Sequence, residues 1–220
     1  MAKIGVCLSG CGKLDGSEIH ESVITLLALD RAKAQIVCIA PDIDQLKTVN
    51  HVSGKEVAEK RSVLVESARI ARGNIKNIKD VKATELDGLI LPGGFGAALN
   101  LCDFAVQGSK CTVNKEVQRL IEEMHKAGKP IGAICIAPAL IAKVLGHKHV
   151  KLTIGTDRGT AGTLESMGAK HVDCPVHDIV VDEANRLVST PAYMLANSIA
   201  EAAEGIEKLV QKVVAMAAVR

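Results

Sequence analysis

The chain has 220 residues, 48% of them apolar, with 27 basic against 25 acidic side chains and a net charge of +2. That length and composition support one full-sized core, so residues 1–220 are read as a single domain. Interspersed, nearly balanced charge excludes a duplex-binding face and a polybasic membrane patch, and two Phe, one Tyr and no Trp exclude a stacking platform for single-stranded nucleic acid.

The N-terminal "MAKIGVCLSG" runs directly into a strand, with no charged segment, apolar stretch and cleavage site in succession. No apolar run reaches the ~18 residues that span a bilayer. The expected location is cytoplasmic, with a removed organelle transit peptide as the alternative. Apolar, β-branched runs predict strands over 3–9, 34–40, 86–94, 129–135 and 150–156. Between them, 18–32 reads as a helix with Ile19, Val23, Leu26 and Leu27 on its apolar face, started by a capping box of Asp15 and Glu18. A second helix, 114–127, aligns Val117, Leu120, Ile121 and Met124. Residues 178–190 read as a hairpin ornament turning at Asp182 to Asn185, and 194–216 as a last helix for the core or a subunit interface. The alternation implies an α/β fold, a mostly parallel sheet covered by helices on both faces, with ligands beyond the carboxyl ends of the strands.

Seven cysteines, at 7, 11, 38, 102, 111, 135 and 174, are odd in number and form no CxxC. Free thiols in a reducing compartment are therefore expected, and no zinc site. His147 and His149 form an HxH that alternation would place on one face of a strand; without a third ligand no metal is expected.

In "GKPIGAICIAPALIAKVLG", residues 128–146, an apolar strand passes into a helical pattern with Cys135 on the bend. This is the setting of a nucleophile elbow, where a helix start would bring a thiol into the range of roughly 3.5 to 7.5. The bland alternative is a small buried hydrophobe. "LILPGGFGAALN" puts Gly93 and Gly94 just after another strand, where their N–H groups could hold an oxyanion, unless they merely turn the chain. Neither Gly94-x-Gly96 nor Gly10-x-Gly12 completes a dinucleotide fingerprint. "GSEIHES" brings Glu18 and Glu21 to the same edge, each otherwise a solvated first-turn acid. His20, beside Glu21, and His177, beside Asp178, are possible acid or base groups.

Together, "DGSEIHES", "LPGGFGAALNL" and "GAICIAPALIAKVL" resemble the ThiJ/PfpI superfamily, with its flavodoxin-like, class I glutamine amidotransferase-like fold. From Lys3 onward, through "VNHVSG", "LTIGTD" and "CPVHDIVVDEANRLVSTPAYMLA", the chain is similar to the ElbB-like family, glyoxalase-like and isoprenoid biosynthesis-associated. The resemblance implies Cys135 as nucleophile, Glu21 rather than Glu18 as its carboxylate, Gly94 and Ile136 as backbone oxyanion donors, and Gly93 as shaper of the turn. It further implies a homodimer, no cofactor, and conversion of glyoxal or methylglyoxal to a 2-hydroxy acid. Gly155 and Thr156 stand where many superfamily members have a His, and no His-x-Glu occurs, which argues against glutaminase chemistry. The alternatives are a redox or carbonyl-stress sensor with an oxidisable cysteine, or a degenerate amidotransferase-like subunit.

Overall fold

A computed structural model describes residues 1–218. In the first half lie strands β1 (Lys3–Cys7), β2 (Gln35–Ala40), β3 (Thr48–Asn50), β4 (Lys55–Val57), β5 (Ile75–Asn77) and β6 (Gly88–Leu91), with helices α1 (Ile19–Arg31), α2 (Val63–Ile70) and α3 (Phe95–Leu99). After them come α4 (Phe104–Gln107), α5 (Lys115–Lys126), β7 (Ile131–Ile134), α6 (Pro138–Leu145), β8 (Lys151–Leu152) and α7 (Arg158–Ser166). The chain closes with β9 (Lys170–His171), β10 (Val180–Asp182), β11 (Leu187–Thr190) and α8 (Ile199–Ala218).

The described residues form a seven-stranded sheet in the order β10-β11-β7-β6-β1-β2-β5. Every neighbouring pair is parallel except β10 with β11. Ile4, Val6, Ile90 and Ile134 pack into one apolar layer and Leu89, Leu91, Ile131 and Ala133 into the other. A sheet covered on both faces has no use for polar alternation, which is why these strands read as continuous apolar runs. At Gly132 a Cβ would stand 2.8 Å from Leu209 Cδ2, so the missing side chain lets α8 lie close on the sheet. α8 is accordingly core on one face, with Leu209, Val210, Val213 and Met216 buried. It starts later than expected, because 192–194 form a short 3-10 turn first.

Four local expectations are corrected. On α5 the predicted stripe is the buried one, but on α1 Ile19, Val23 and Leu27 are 42%, 49% and 44% exposed. The face turned inward carries Glu21, Ser22, Ile24, Thr25, Ala28 and Leu29. Ser22 and Thr25 can be buried because their hydroxyls donate to the carbonyls of Glu18 and Glu21, both at 2.7 Å. Asp15 is no cap: its carboxylate accepts from Val49 N at 2.7 Å, and Glu18 caps α1 by accepting from Glu21 N. The run 150–156 yields only Lys151–Leu152, in a separate two-stranded sheet with β9. Beyond it Thr153 N donates to the Ser189 hydroxyl, and the chain bends at Gly155, whose φ is +102. The 178–190 hairpin forms, but it is not an ornament. β11 pairs along β7 from Leu187 opposite Ile131 to Thr190 opposite Ile134, within the main sheet.

Candidate active site

Cys135 follows the last residue of β7 and precedes α6, whose first residue is Pro138. Its backbone lies in the left-handed region at φ +62, a conformation that costs a non-glycine residue about 1–3 kcal/mol. β11 holds it there, with Cys135 N donating to Thr190 O at 2.9 Å. The hairpin is therefore part of what makes the elbow.

Opposite stands Glu21, wholly buried at the start of α1. Both carboxyl oxygens accept from backbone: Oε2 from Gly93 N at 2.9 Å and Oε1 from Tyr193 N at 3.2 Å. The Cys135 thiol is its side-chain neighbour across Gly93. Gly93 fills the corner between them, since a Cβ there would lie 2.5 Å from Cys135 Cβ and 2.7 Å from Glu21 Oε2. Gly94, at φ +92, has room for no side chain either: its Cβ would stand 2.3 Å from Glu18 N. Loop 12–18 is fastened to this turn by Glu18 N to Gly93 O at 3.0 Å and Phe95 N to Lys13 O at 2.8 Å. The amides of Gly94 and Ile136 favour the charged form of the sulfur. The structure thus brings Cys135, Glu21, Gly93, Gly94 and Ile136 together at one sheet edge.

The electrostatics differ from the expected helix-activated thiol. Burial pushes the Cys135 thiol well above its ordinary value, a charged Glu21 pushes it further, and the Gly94 and Ile136 amides pull it back only in part. The physical reason is one of size. A helix terminus contributes about 0.3–1 kcal/mol, and up to ~2, whereas full burial moves a titrating group by up to 3–5 pKa units. Burial also raises Glu21 from 4.5 to about 8, with help from Glu18 and against the bonds from Tyr193, Gly93 and Cys135. Glu21 therefore keeps its proton at neutral pH and offers the sulfur an O–H rather than a second negative charge.

Two consequences can be measured. The fold binds the Glu21 proton more tightly than the unfolded chain does. This group's contribution to stability is therefore fully present below pH 4.5 and is lost as pH rises through about 8. Iodoacetamide labelling of Cys135, read residue by residue by mass spectrometry, has its midpoint above the free-thiol value of about 8.5. Glu21→Gln moves that midpoint down by removing the charge that opposes the thiolate. A parent midpoint below 8.5 would show that the amides, not burial, dominate.

The histidines divide. His20 lines the cavity over Cys135, its Nδ1 2.8 Å from the Tyr193 hydroxyl. His177 is exposed on the segment before β10 and does not line that cavity; the hairpin joins the sheet through β11 and leaves the preceding loop outside. His147 and His149 lie in a 3-10 turn and its left-handed cap, not on a strand. Among the described residues no three His, Cys, Asp or Glu side chains converge as metal ligands. Two contributors escaped the sequence reading: Thr190 anchors the elbow, and Tyr193 orients both Glu21 and His20. Glu18, the other first-turn acid, is half-buried at the cavity and raises its neighbour's pKa. Tyr193 carried one available signal, being the chain's single tyrosine.

Residues 12–196 match the DJ-1/PfpI family. The chain is 45% identical to the human "Glutamine amidotransferase-like class 1 domain-containing protein 3, mitochondrial" over 96% of its own length and 82% of that protein's. It is similar, with a TM-score of 0.92 and 39% identity, to the solved structure of an isoprenoid biosynthesis protein with an amidotransferase-like domain from Ehrlichia chaffeensis, covering 98% of this chain and 99% of that one. Schizosaccharomyces pombe DJ-1, at 22% identity and a TM-score of 0.59 over 97% and 96% of the two chains, shares the fold.

Proposed function

The chain belongs to the DJ-1/PfpI family, and from that membership and the geometry of its cleft we propose a cofactor-independent, glyoxalase-like enzyme acting through Cys135. One observation carries the reading: a buried thiol and a buried carboxyl meet at one glycine turn, where a Cβ on Gly93 would lie 3.0 Å from Cys135 Sγ and 2.7 Å from Glu21 Oε2, and Gly93 N donates to that carboxyl at 2.9 Å. The substrate is glyoxal or methylglyoxal and the product the corresponding 2-hydroxy acid.

In the first step sulfur attacks the aldehyde carbon, and the carbonyl electrons move to oxygen in reach of the Gly94 and Ile136 N–H groups. As the S–C bond forms the thiol proton passes to solvent water and Glu21 gives its own proton to the new oxygen, leaving a neutral hemithioacetal and a Glu21 carboxylate. The carboxylate takes the hydrogen from that same carbon as a proton while the neighbouring carbonyl oxygen takes one from solvent, giving a neutral enediol. Glu21 then returns its proton to the neighbouring carbon as the first carbon's hydroxyl gives its proton to solvent, which leaves a 2-hydroxy thioester on Cys135. Water displaces the thiolate, and the 2-hydroxy acid departs with its oxygen. A carboxyl titrating near neutrality suits a group that must both give and take a proton. Purified protein in metal-free buffer is expected to form lactate from methylglyoxal and glycolate from glyoxal. No acid above the buffer rate would remove the proposal.

Seven free cysteines suit a reducing compartment; the cytoplasm is proposed for this chain, while the human relative's name places that protein in mitochondria. Among the described residues no helix is long and apolar enough to cross a membrane.

A homodimer is proposed through the outward face of α1, where Ile19, Val23 and Leu27 recur every four residues with their side chains about half exposed. Sedimentation equilibrium is expected to find a dimer that Val23→Glu converts to monomer. A monomeric parent protein at micromolar concentration would rule that face out as a dimer contact.

A further inference from the structure

The cavity above Cys135 has a volume of about 660 Å³, far more than a two- or three-carbon dicarbonyl can use. At roughly 20–30 Å³ per non-hydrogen atom, the five such atoms of methylglyoxal occupy about 100–150 Å³. Ligand sites of roughly 300–1,000 Å³ with mostly apolar walls fit molecules several times larger. The walls here are apolar: Leu14, Phe95, Phe104, Ile136 and Met194, with polar groups such as Lys13 and Thr160 among them.

A second observation comes from composition. The chain has two Phe, one Tyr and no Trp, and Phe95, Phe104 and Tyr193 all line this one cavity. A core built from aliphatic residues has kept its aromatic side chains for a single surface. Phe95 is 52% exposed at the cavity, so apolar area remains there for something else to cover. The occupant is a small molecule rather than a chain segment, because the nucleophile Cys135 itself forms part of the cavity wall, beside Phe95, Phe104, Ile136 and Met194.

We propose that the site selects carbonyl compounds with an aryl or alkyl body of about six to ten carbons, phenylglyoxal and 2-oxooctanal being of this class. This rests on the reading that Cys135 attacks a carbonyl carbon. The reaction is unchanged: the aldehyde end meets the sulfur while the body lies against Phe95, Phe104 and Met194. Methylglyoxal reacts but leaves most of the apolar wall to water.

Two measurements on the full chain separate the size preference from the catalytic reading. The first compares Cys135 alkylation by iodoacetamide, N-hexyliodoacetamide and N-benzyliodoacetamide, each normalised to its rate with glutathione. The second compares kcat/KM for methylglyoxal and phenylglyoxal, normalised to their addition to a free thiol. Both are expected to favour the larger reagent at least tenfold, since each fully buried methylene multiplies affinity by about four. Phe104→Ser is expected to reduce that ratio in both. A tenfold alkylation preference with no oxoaldehyde turnover would support the assigned cavity and overturn the glyoxalase reading. Turnover of methylglyoxal with no size preference in either measurement would overturn the proposal and leave that reading standing.

Discussion

Cys135→Ser is expected to lower the formation of 2-hydroxy acid by at least about a thousandfold while changing stability by less than about 1 kcal/mol. Serine is nearly isosteric, so no cavity opens. Its hydroxyl can both donate and accept beside the Glu21 carboxyl and the Gly94 and Ile136 amides that act on the sulfur, so burial of the new polar group is compensated. Chemistry separates the two residues. A hydroxyl is a weak nucleophile without a strong adjacent base, and Glu21, protonated up to about pH 8, is not such a base at neutral pH. Lactate determined chromatographically, beside urea melts of both proteins, checks both halves. A folded serine variant with the parent rate would remove Cys135 from the reaction.

Gly93→Ala should damage the site nearly as much, by a different route. The added carbon would stand 2.5 Å from Cys135 Cβ and 2.7 Å from Glu21 Oε2. Neither neighbour can retreat cheaply. Cys135 is tied to Thr190 O, and Glu21 to Tyr193 N on its far side. Overpacking costs about 1–3 kcal/mol, and losing a hydrogen bond to the carboxyl adds a comparable sum, so a loss of about 2–4 kcal/mol is expected in urea melts. Displacement of the reacting groups by about 1 Å is expected to lower kcat/KM by about a hundredfold. Gly128→Ala is the control: its φ is +63 with nothing within 4 Å of the added carbon. It should show only the modest backbone penalty, about 1 kcal/mol, with full activity. An active, stable Gly93→Ala would mean that Glu21 and Cys135 need not be held against this turn.

Much of the architecture was legible because it depends on local pattern. Unalternating runs such as "GLIL" and "IGAI" mark strands buried on both faces, and α5 shows its inner stripe because its other face is charged. α1 was misread for the converse reason. Apolar residues occur on several of its faces, so periodicity cannot choose among them. The choice went to the face whose serine and threonine could satisfy themselves on the helix backbone. The hairpin was legible as a hairpin, but its place in the sheet depends on pairing between β11 and β7, more than fifty residues away.

By itself the sequence determined the class of fold, the cysteine on the bend, the glycine turn after another strand and two acids at the start of the first helix, between which the family resemblance chose Glu21. Each of these is a residue type whose backbone or side-chain chemistry suits a particular place at a sheet edge. Only the tertiary structure decided which way the thiol titrates, because burial is a property of everything packed around a group and outweighs the helix end beside it. It also decided that Thr190 and Tyr193 hold the nucleophile and the acid in register, and that all three aromatic side chains meet at one cavity. Those are contacts between segments distant in the chain, and the packing of the whole domain, not any local signal, brings them together.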